Sequence, residues 1–211
     1  MSEYSVVPLD SIEPISDGRC AFRPVRHHLG ITSFGVNAFT GVEVGDRIIN
    51  EHDEADECEE LYVVQSGRAR FELGGETVDA PAGTLVFAKP GVMRTAFAEE
   101  PNTTLLAVGA EPGKPYQAHG FEIWAPIDPL YKAGRYEEAA ALGTKAADEH
   151  PEYSMALYNI ACCEALAGKP DDAIRHLRVA IEGNPEVVKW AAGDSDLESL
   201  REDPRFQELV G

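Results

Sequence analysis

The sequence predicts an α+β chain built in two parts, an N-terminal antiparallel β-barrel followed by an all-α helical hairpin tail. Three observations predict it. The first half alternates polar and apolar residues over short runs separated by glycine and proline. Near Pro126 the pattern changes to alanine-rich sequence with helical apolar spacing. That second stretch also repeats itself at a fixed interval of 34 residues.

Among the strand-like runs, Arg68-Ala69-Arg70-Phe71-Glu72-Leu73 alternates as a half-buried strand does. Gly74-Gly75 follows as a tight hairpin turn, and Glu76-Thr77-Val78 begins the return strand. Leu61-Tyr62-Val63-Val64, Leu85-Val86-Phe87 and Leu105-Leu106-Ala107-Val108 are further runs of this type. Pro81-Ala82-Gly83 and Lys89-Pro90-Gly91 mark turns between them. Many short strands at regular spacing predict a sandwich or a closed barrel.

In the tail, Gly134 pairs with Gly168, Ala139 with Ala173, Ala146 with Ala180 and Pro151 with Pro185, each pair 34 apart. Small residues let paired helices approach closely, and each proline ends the second helix of its pair. This interval, with the turns Ala133-Gly134-Arg135 and Ala167-Gly168-Lys169, resembles the tetratricopeptide repeat. Residues 196–206 resemble the capping segment that follows such repeats. One and a half to two repeats fall short of the three needed for independent stability, so the tail is expected to pack on the barrel or on a partner chain.

Composition narrows the function classes. The chain has 211 residues, 44% of them apolar, enough for a packed core. Lys and Arg total 18 against 37 Asp and Glu, a formal charge of −19. Such acidity keeps a chain soluble and repels phosphate backbones and anionic lipid, so neither nucleic acid nor a membrane surface is expected as partner. No apolar run reaches the ~20 residues of a membrane span. Met1-Ser2-Glu3-Tyr4-Ser5 lacks the basic and apolar stretches of a signal peptide. Cys20, Cys58, Cys162 and Cys163 form no CxxC pair, and the adjacent two lie in an apolar helical stretch. The expectation is a cytoplasmic protein with reduced thiols.

The stretch from Gly45 to Ala96 resembles the two motifs of the cupin superfamily. Gly45 opens the first, and Glu60 stands seven positions before Gly67. The second reads Gly83-Thr84-Leu85-Val86-Phe87-Ala88-Lys89-Pro90-Gly91-Val92-Met93-Arg94. The resemblance implies a double-stranded β-helix, or jelly roll, over residues 20–112. An N-terminal arm (1–19) precedes it, and a linker (113–127) leads to the repeat-like tail (128–211). It also implies pairing of barrels through a sheet edge, hence a homodimer.

The family commonly holds a divalent metal through three imidazoles and one carboxylate. Here the last histidine position is Arg94, a permanent cation that cannot ligate a metal. Between Gly45 and Glu60 the one histidine is His52, followed by an acidic insertion. His52 and Glu60 therefore remain as metal-ligand candidates, with Asp53, Glu54 or Asp56 as supplements, and with His27 and His28 offered from an N-terminal strand. No bound cofactor is the leading expectation; manganese, iron, nickel or zinc is the alternative.

Arg94 occupies an inward-facing position and needs a partner, since a stranded interior charge costs several kcal/mol. One reading is an Arg94–Glu60 ion pair filling the former metal position. The other is a pocket in which Arg94 and Glu60, lined by Tyr62 and Phe71, bind a small anionic ligand. Arg70 points outward by alternation, and in Glu59-Glu60 one carboxylate faces solvent while the other faces in. The functional expectation is a non-catalytic or ligand-sensing degenerate cupin barrel whose repeat-like tail docks a protein partner. The alternative is a metal-dependent cupin enzyme (a dioxygenase, isomerase or decarboxylase) acting on a small carboxylate.

Overall fold

The computed structural model describes residues 4–16, 20–53, 57–151, 153 and 155–211, arranged as two compact units, Met1–Ala118 and His119–Gly211. The first is an antiparallel β unit with ten strands among its described residues: β1 (Ile15–Ser16), β2 (Ala21–Arg23), β3 (Gly35–Gly41), β4 (Arg47–His52), β5 (Glu59–Ser66), β6 (Arg68–Leu73), β7 (Glu76–Pro81), β8 (Leu85–Ala88), β9 (Arg94–Ala98) and β10 (Thr103–Ala110). Instead of closing into one continuous sheet, the strands pair into two. One has the order β1-β2-β3-β10-β5-β8 and the other β4-β9-β6-β7.

Period-two alternation explains how the two sheets share a core. Tyr62, Val64 and Leu105 from the larger sheet and Ala69, Phe71, Ala96 and Ala98 from the smaller one are all fully buried in one cluster. The β6–β7 hairpin turns at Gly74-Gly75, as the sequence predicts, with Leu73 opposite Glu76. A turn of type II geometry over Lys89–Val92 leads into β9; its third residue has φ 77°, which suits Gly91, and Val92 N–H donates to the Lys89 carbonyl at 3.2 Å. This turn sets Arg94 as the first residue of β9 with its side chain inward.

On the outer face of the larger sheet, Ile12 and Val25 pack over Ala38 on β3, with Leu9, Leu29, Val36 and Leu106 around them. Val25 belongs to a short helix, α1 (Val25–Leu29). His27 and His28 lie on that helix and are exposed, which corrects the expectation that they come from a strand pointing inward. A five-residue helix between Pro24 and Gly30 is too short to show a period in the sequence.

The second unit is helical: α2 (Gly120–Trp124), α3 (Asp128–Lys132), α4 (Tyr136–Glu149), α5 (Met155–Leu166), α6 (Pro170–Gly183), α7 (Val187–Gly193), a 3-10 segment (Ser195–Leu200) and α8 (Pro204–Val210). The turns Ala133–Arg135 and Ala167–Lys169 are built alike. Both glycines have φ 72°, and both turns close with the same backbone bonds, Arg135 N–H to the Leu130 carbonyl and Lys169 N–H to the Glu164 carbonyl, at 2.9 Å.

The 34-residue interval does not stop there. Helices α4, α6 and α8 begin at Tyr136, Pro170 and Pro204. Contacts also recur at that separation: Arg205 on Asp171 at 2.8 Å and the Ser199 hydroxyl on the Ala165 carbonyl at 3.4 Å. Residues 187–210 therefore form a third helical pair whose first helix is broken into α7 and the 3-10 segment. The third pair contributes Val187, Ala191, Leu197, Leu200 and Phe206 to the core around Leu177 and Ala161. Helix α5 is enclosed on all sides by its neighbours, so its sequence is apolar all round instead of striped.

Candidate functional site

The site expected from the sequence lies between the two sheets of the β unit. Glu60 comes from β5 in the larger sheet. His52, at the end of β4, stands beside Arg94, at the start of β9, in the smaller one. Two register irregularities along β4 break strict alternation and turn His52 toward Glu60. Tyr62 follows Glu60 by two positions, on the same face, with its ring 5.6 Å from that of Phe71. Phe71 itself is a fully buried core residue.

One carboxylate oxygen gathers the cluster. Glu60 Oε2 accepts from Arg94 Nε at 3.0 Å and Nη2 at 2.7 Å, and from the Tyr62 hydroxyl; His52 Nε2 lies 3.1 Å away. Arg94 Nη1 donates to the Val92 carbonyl at 3.0 Å. The Arg94 side chain is 0% exposed, and its three nitrogens are all engaged within the protein. Gly109 on β10 leaves room for this arrangement: a Cβ there would stand 3.2 Å from Glu60 Cγ and 3.3 Å from Cys58 Sγ.

Electrostatics follow from these contacts. Burial pushes the Glu60 carboxyl up, but hydrogen bonds from His52, Tyr62 and Arg94 and the Arg94 charge outweigh it and hold the pKa down at about 2. The hydrogen bond to Glu60 raises His52, and burial opposes it only in part. His52 Nδ1 stands 2.7 Å from the Asn50 carbonyl, so both ring nitrogens face acceptors and the imidazolium is the favoured form. Burial, and then the neighbouring Glu60 charge, push the Tyr62 phenol well above its ordinary range.

The donor set does not suit a divalent ion. Among the described residues no group of three His, Cys, Asp or Glu side chains converges as metal ligands. His52 and Glu60 supply two donors, fewer than the three or four protein ligands usual at a zinc site, and the facing group is a guanidinium without a lone pair. Of the acidic supplements, Asp53 joins through its backbone, whose carbonyl accepts from Gly91 N–H at 2.7 Å. Glu54 and Asp56 lie outside the described residues. Arg70 is turned away, on the outer face, where it contacts Glu72 and Glu99 and stacks 4.6 Å from the Phe97 ring.

The sequence reading missed the two backbone carbonyls, of Val92 and Asn50, that complete the cluster; no side-chain pattern signals them. It also missed a second polar cluster, in the helical unit. There the Tyr158 hydroxyl donates to Asp194 at 2.5 Å and the Tyr131 hydroxyl to Asp196 at 2.6 Å. No described helix is long and apolar enough to cross a membrane.

Among solved structures, the chain is similar to a cupin protein from Bacteroides fragilis (17% identity, TM-score 0.42, covering 58% of this chain and 95% of that one). It is also similar to a protein with a double-stranded β-helix domain from Klebsiella pneumoniae (21% identity, TM-score 0.43, 54% and 89%). A third is a sugar phosphate isomerase of the cupin superfamily from Silicibacter pomeroyi (20% identity, TM-score 0.43, 51% and 76%). A chloroplastic protein from Arabidopsis thaliana is 36% identical over 84 residues, which are 37% of this chain and 24% of that curated relative. Residues 130–193, a stretch that runs from within α3 to the end of α7, match the tetratricopeptide repeat family.

Proposed function

We propose that the chain is a non-catalytic scaffold, in which a cupin-like β unit with an internally filled site carries a repeat unit that docks a protein partner. The observation that carries this reading is the engagement of Arg94: fully buried, with donors on Glu60 and on the Val92 carbonyl. A small carboxylate anchored on Arg94 would have to displace Glu60, trading one carboxylate for another with no net gain in hydrogen bonds. A metal would have to compete with a guanidinium already beside its would-be carboxylate ligand. The reading therefore includes no resident metal or cofactor.

Two further parts belong to the same reading. Self-association through strand β8 is favoured because it is an edge strand. Its outward residues Leu85 and Phe87 are 66% and 53% exposed, and its four residues include no charge to block edge pairing. A reducing, intracellular compartment suits a chain with four cysteines, three of them buried, and no CxxC pair.

The deciding experiment is elemental mass spectrometry on protein purified without chelators and then offered manganese, iron, nickel and zinc. The expected outcome is substoichiometric metal with every ion. A stoichiometric ion lost on Glu60→Gln or His52→Gln would overturn the reading and make the enzymatic alternative the better one. Light scattering of the chain and of Phe87→Lys tests self-association, with a dimer expected for the first and a monomer for the second.

A further inference from the structure

We propose that the helical unit presents an aromatic and acidic strip that docks a basic, arginine- or lysine-bearing segment of a partner protein. This rests on the reading that the unit docks a protein, and it adds where the partner lies and what chemistry it brings.

The strip is assembled from four helices, α3, α4, α5 and α7, and the 3-10 segment. Tyr131 on α3 stacks edge-on against Tyr136, with centroids 5.8 Å apart, and its hydroxyl reaches Asp196. Tyr158 on α5 bonds Asp194 and meets the Trp190 ring of α7 edge-on at 6.2 Å. Four aromatic rings thus flank two carboxylates along a continuous line of contacts; Tyr158 is buried and holds Asp194 in place, while Trp190, Tyr131 and Tyr136 keep exposed surface. The carboxylates come from the break in the third helical pair, where Asp194 caps the 3-10 segment by accepting from Asp196 N–H at 2.9 Å.

Two independent features point outward to a partner. Trp190 is 44% exposed, a large ring left open although core space lies one residue away at Ala191. Asp194 and Asp196 also stay partly exposed while each holds a tyrosine hydroxyl. The neighbouring cations are engaged with other groups: Lys132 with Asp128, Lys189 with Glu186, and Arg201 with Glu198 and with the Ala192 and Asp194 carbonyls. The strip therefore keeps its negative charge.

A guanidinium or ammonium is the group that ring faces and carboxylates attract together. In a chain of net charge −19, an acidic segment would meet repulsion here and a basic one attraction. The tyrosine hydroxyls fix the carboxylates in place, so a partner need not order them.

The test uses the full chain and two fluorescein-labelled peptides of equal length, one alternating Gly and Arg and one alternating Gly and Glu, read by fluorescence anisotropy. The Gly–Arg peptide is expected to bind and the Gly–Glu peptide not to. Trp190→Ala is expected to weaken binding about fivefold or more, with loss of a cation–ring contact at its centre. The double variant Asp194→Asn, Asp196→Asn, which keeps acceptors for both tyrosines, should do the same if Trp190→Ala disturbs folding. Glu149→Gln with Glu182→Gln removes the same charge from α4 and α6 and should leave affinity within about twofold. Equal loss in this control would overturn the strip in favour of diffuse acidity. So would Gly–Arg binding untouched by every strip variant. Failure of both peptides to bind would sink the strip. Titration with a neutral amphipathic peptide then separates the two readings, since binding keeps the docking role and its absence removes that as well.

Discussion

The β unit holds a buried Arg–Glu pair between its sheets, and the ion pairs of the helical unit lie mostly at its surface. In the β unit, donors from three strands converge on one oxygen of Glu60, and the cation that faces it is wholly buried. In the helical unit most ion pairs are exposed neighbours on one helix, such as Arg135 with Glu138, Arg175 with Asp172 and Lys189 with Glu186. The first kind is bound up with the fold, because neither partner can return to water without opening the sheets. The second kind decorates a fold held by apolar packing around Leu177, Ile160 and Phe206. A charge thus carries structural weight according to where it is held, not according to how short its bonds are.

The largest expected effect breaks the buried pair. Arg94→Ala leaves Glu60 without its principal cation inside the unit and should destabilise it by about 3–5 kcal/mol. Replacing both partners, as Arg94→Met with Glu60→Leu, should cost less than Arg94→Ala alone, because no charge is then stranded. Urea unfolding of the three proteins checks this. If Arg94→Ala loses less than about 1 kcal/mol, the pair behaves like a surface bridge and the contrast between the units collapses.

A smaller effect is read in pH. Glu60 is held down at about 2 from its ordinary 4.5, so its contribution is fully present above 4.5 and disappears as pH falls toward 2. His52 is raised from 6.5, so its contribution is present below 6.5 and lost as pH climbs through the raised value. Together they predict greatest stability of this cluster between 4.5 and 6.5. Thermal unfolding followed against pH should show the acid limb flatten in Glu60→Gln and the alkaline limb flatten in His52→Gln. Wild-type and variant profiles that run parallel on both limbs would remove the cluster from the account of stability.

The same contrast decides what could be foreseen. Arg94 and Glu60 were legible through the resemblance to the cupin motifs, in which they stand at the last histidine position and the glutamate position, and alternation adds that one of Glu59 and Glu60 faces in. Tyr62 follows from Glu60 by the period of two. The outcome at the cluster, a pair in which each guanidinium nitrogen is engaged, depends on the Val92 and Asn50 carbonyls and on irregularities along β4, which leave no mark in residue type. The first repeats were legible through Gly134 and Gly168. The third was hidden because position 202 is Glu, position 207 is Gln where the others have Ala139 and Ala173, and its first helix breaks at Asp194. Repeats betray themselves through small residues at close approaches, and the terminal unit has no further neighbour that demands them.

The smallest expected effects lie in the helical unit, and they are informative because they are small. Three helical pairs with their own buried cluster meet the number that repeat architectures need, so residues 119–211 alone should fold cooperatively, as seen by far-UV circular dichroism during heating. Within that fragment, Arg135→Ala removes a bidentate but exposed pair with Glu138 and should change stability by no more than about 0.5 kcal/mol. Leu177→Ala in the same fragment should cost about 2–5 kcal/mol, since it empties the centre of the cluster. A fragment that stays unfolded would mean the third pair does not complete the stack. One in which Arg135→Ala rivals Leu177→Ala would mean that surface charge, and not packing, holds the repeats together.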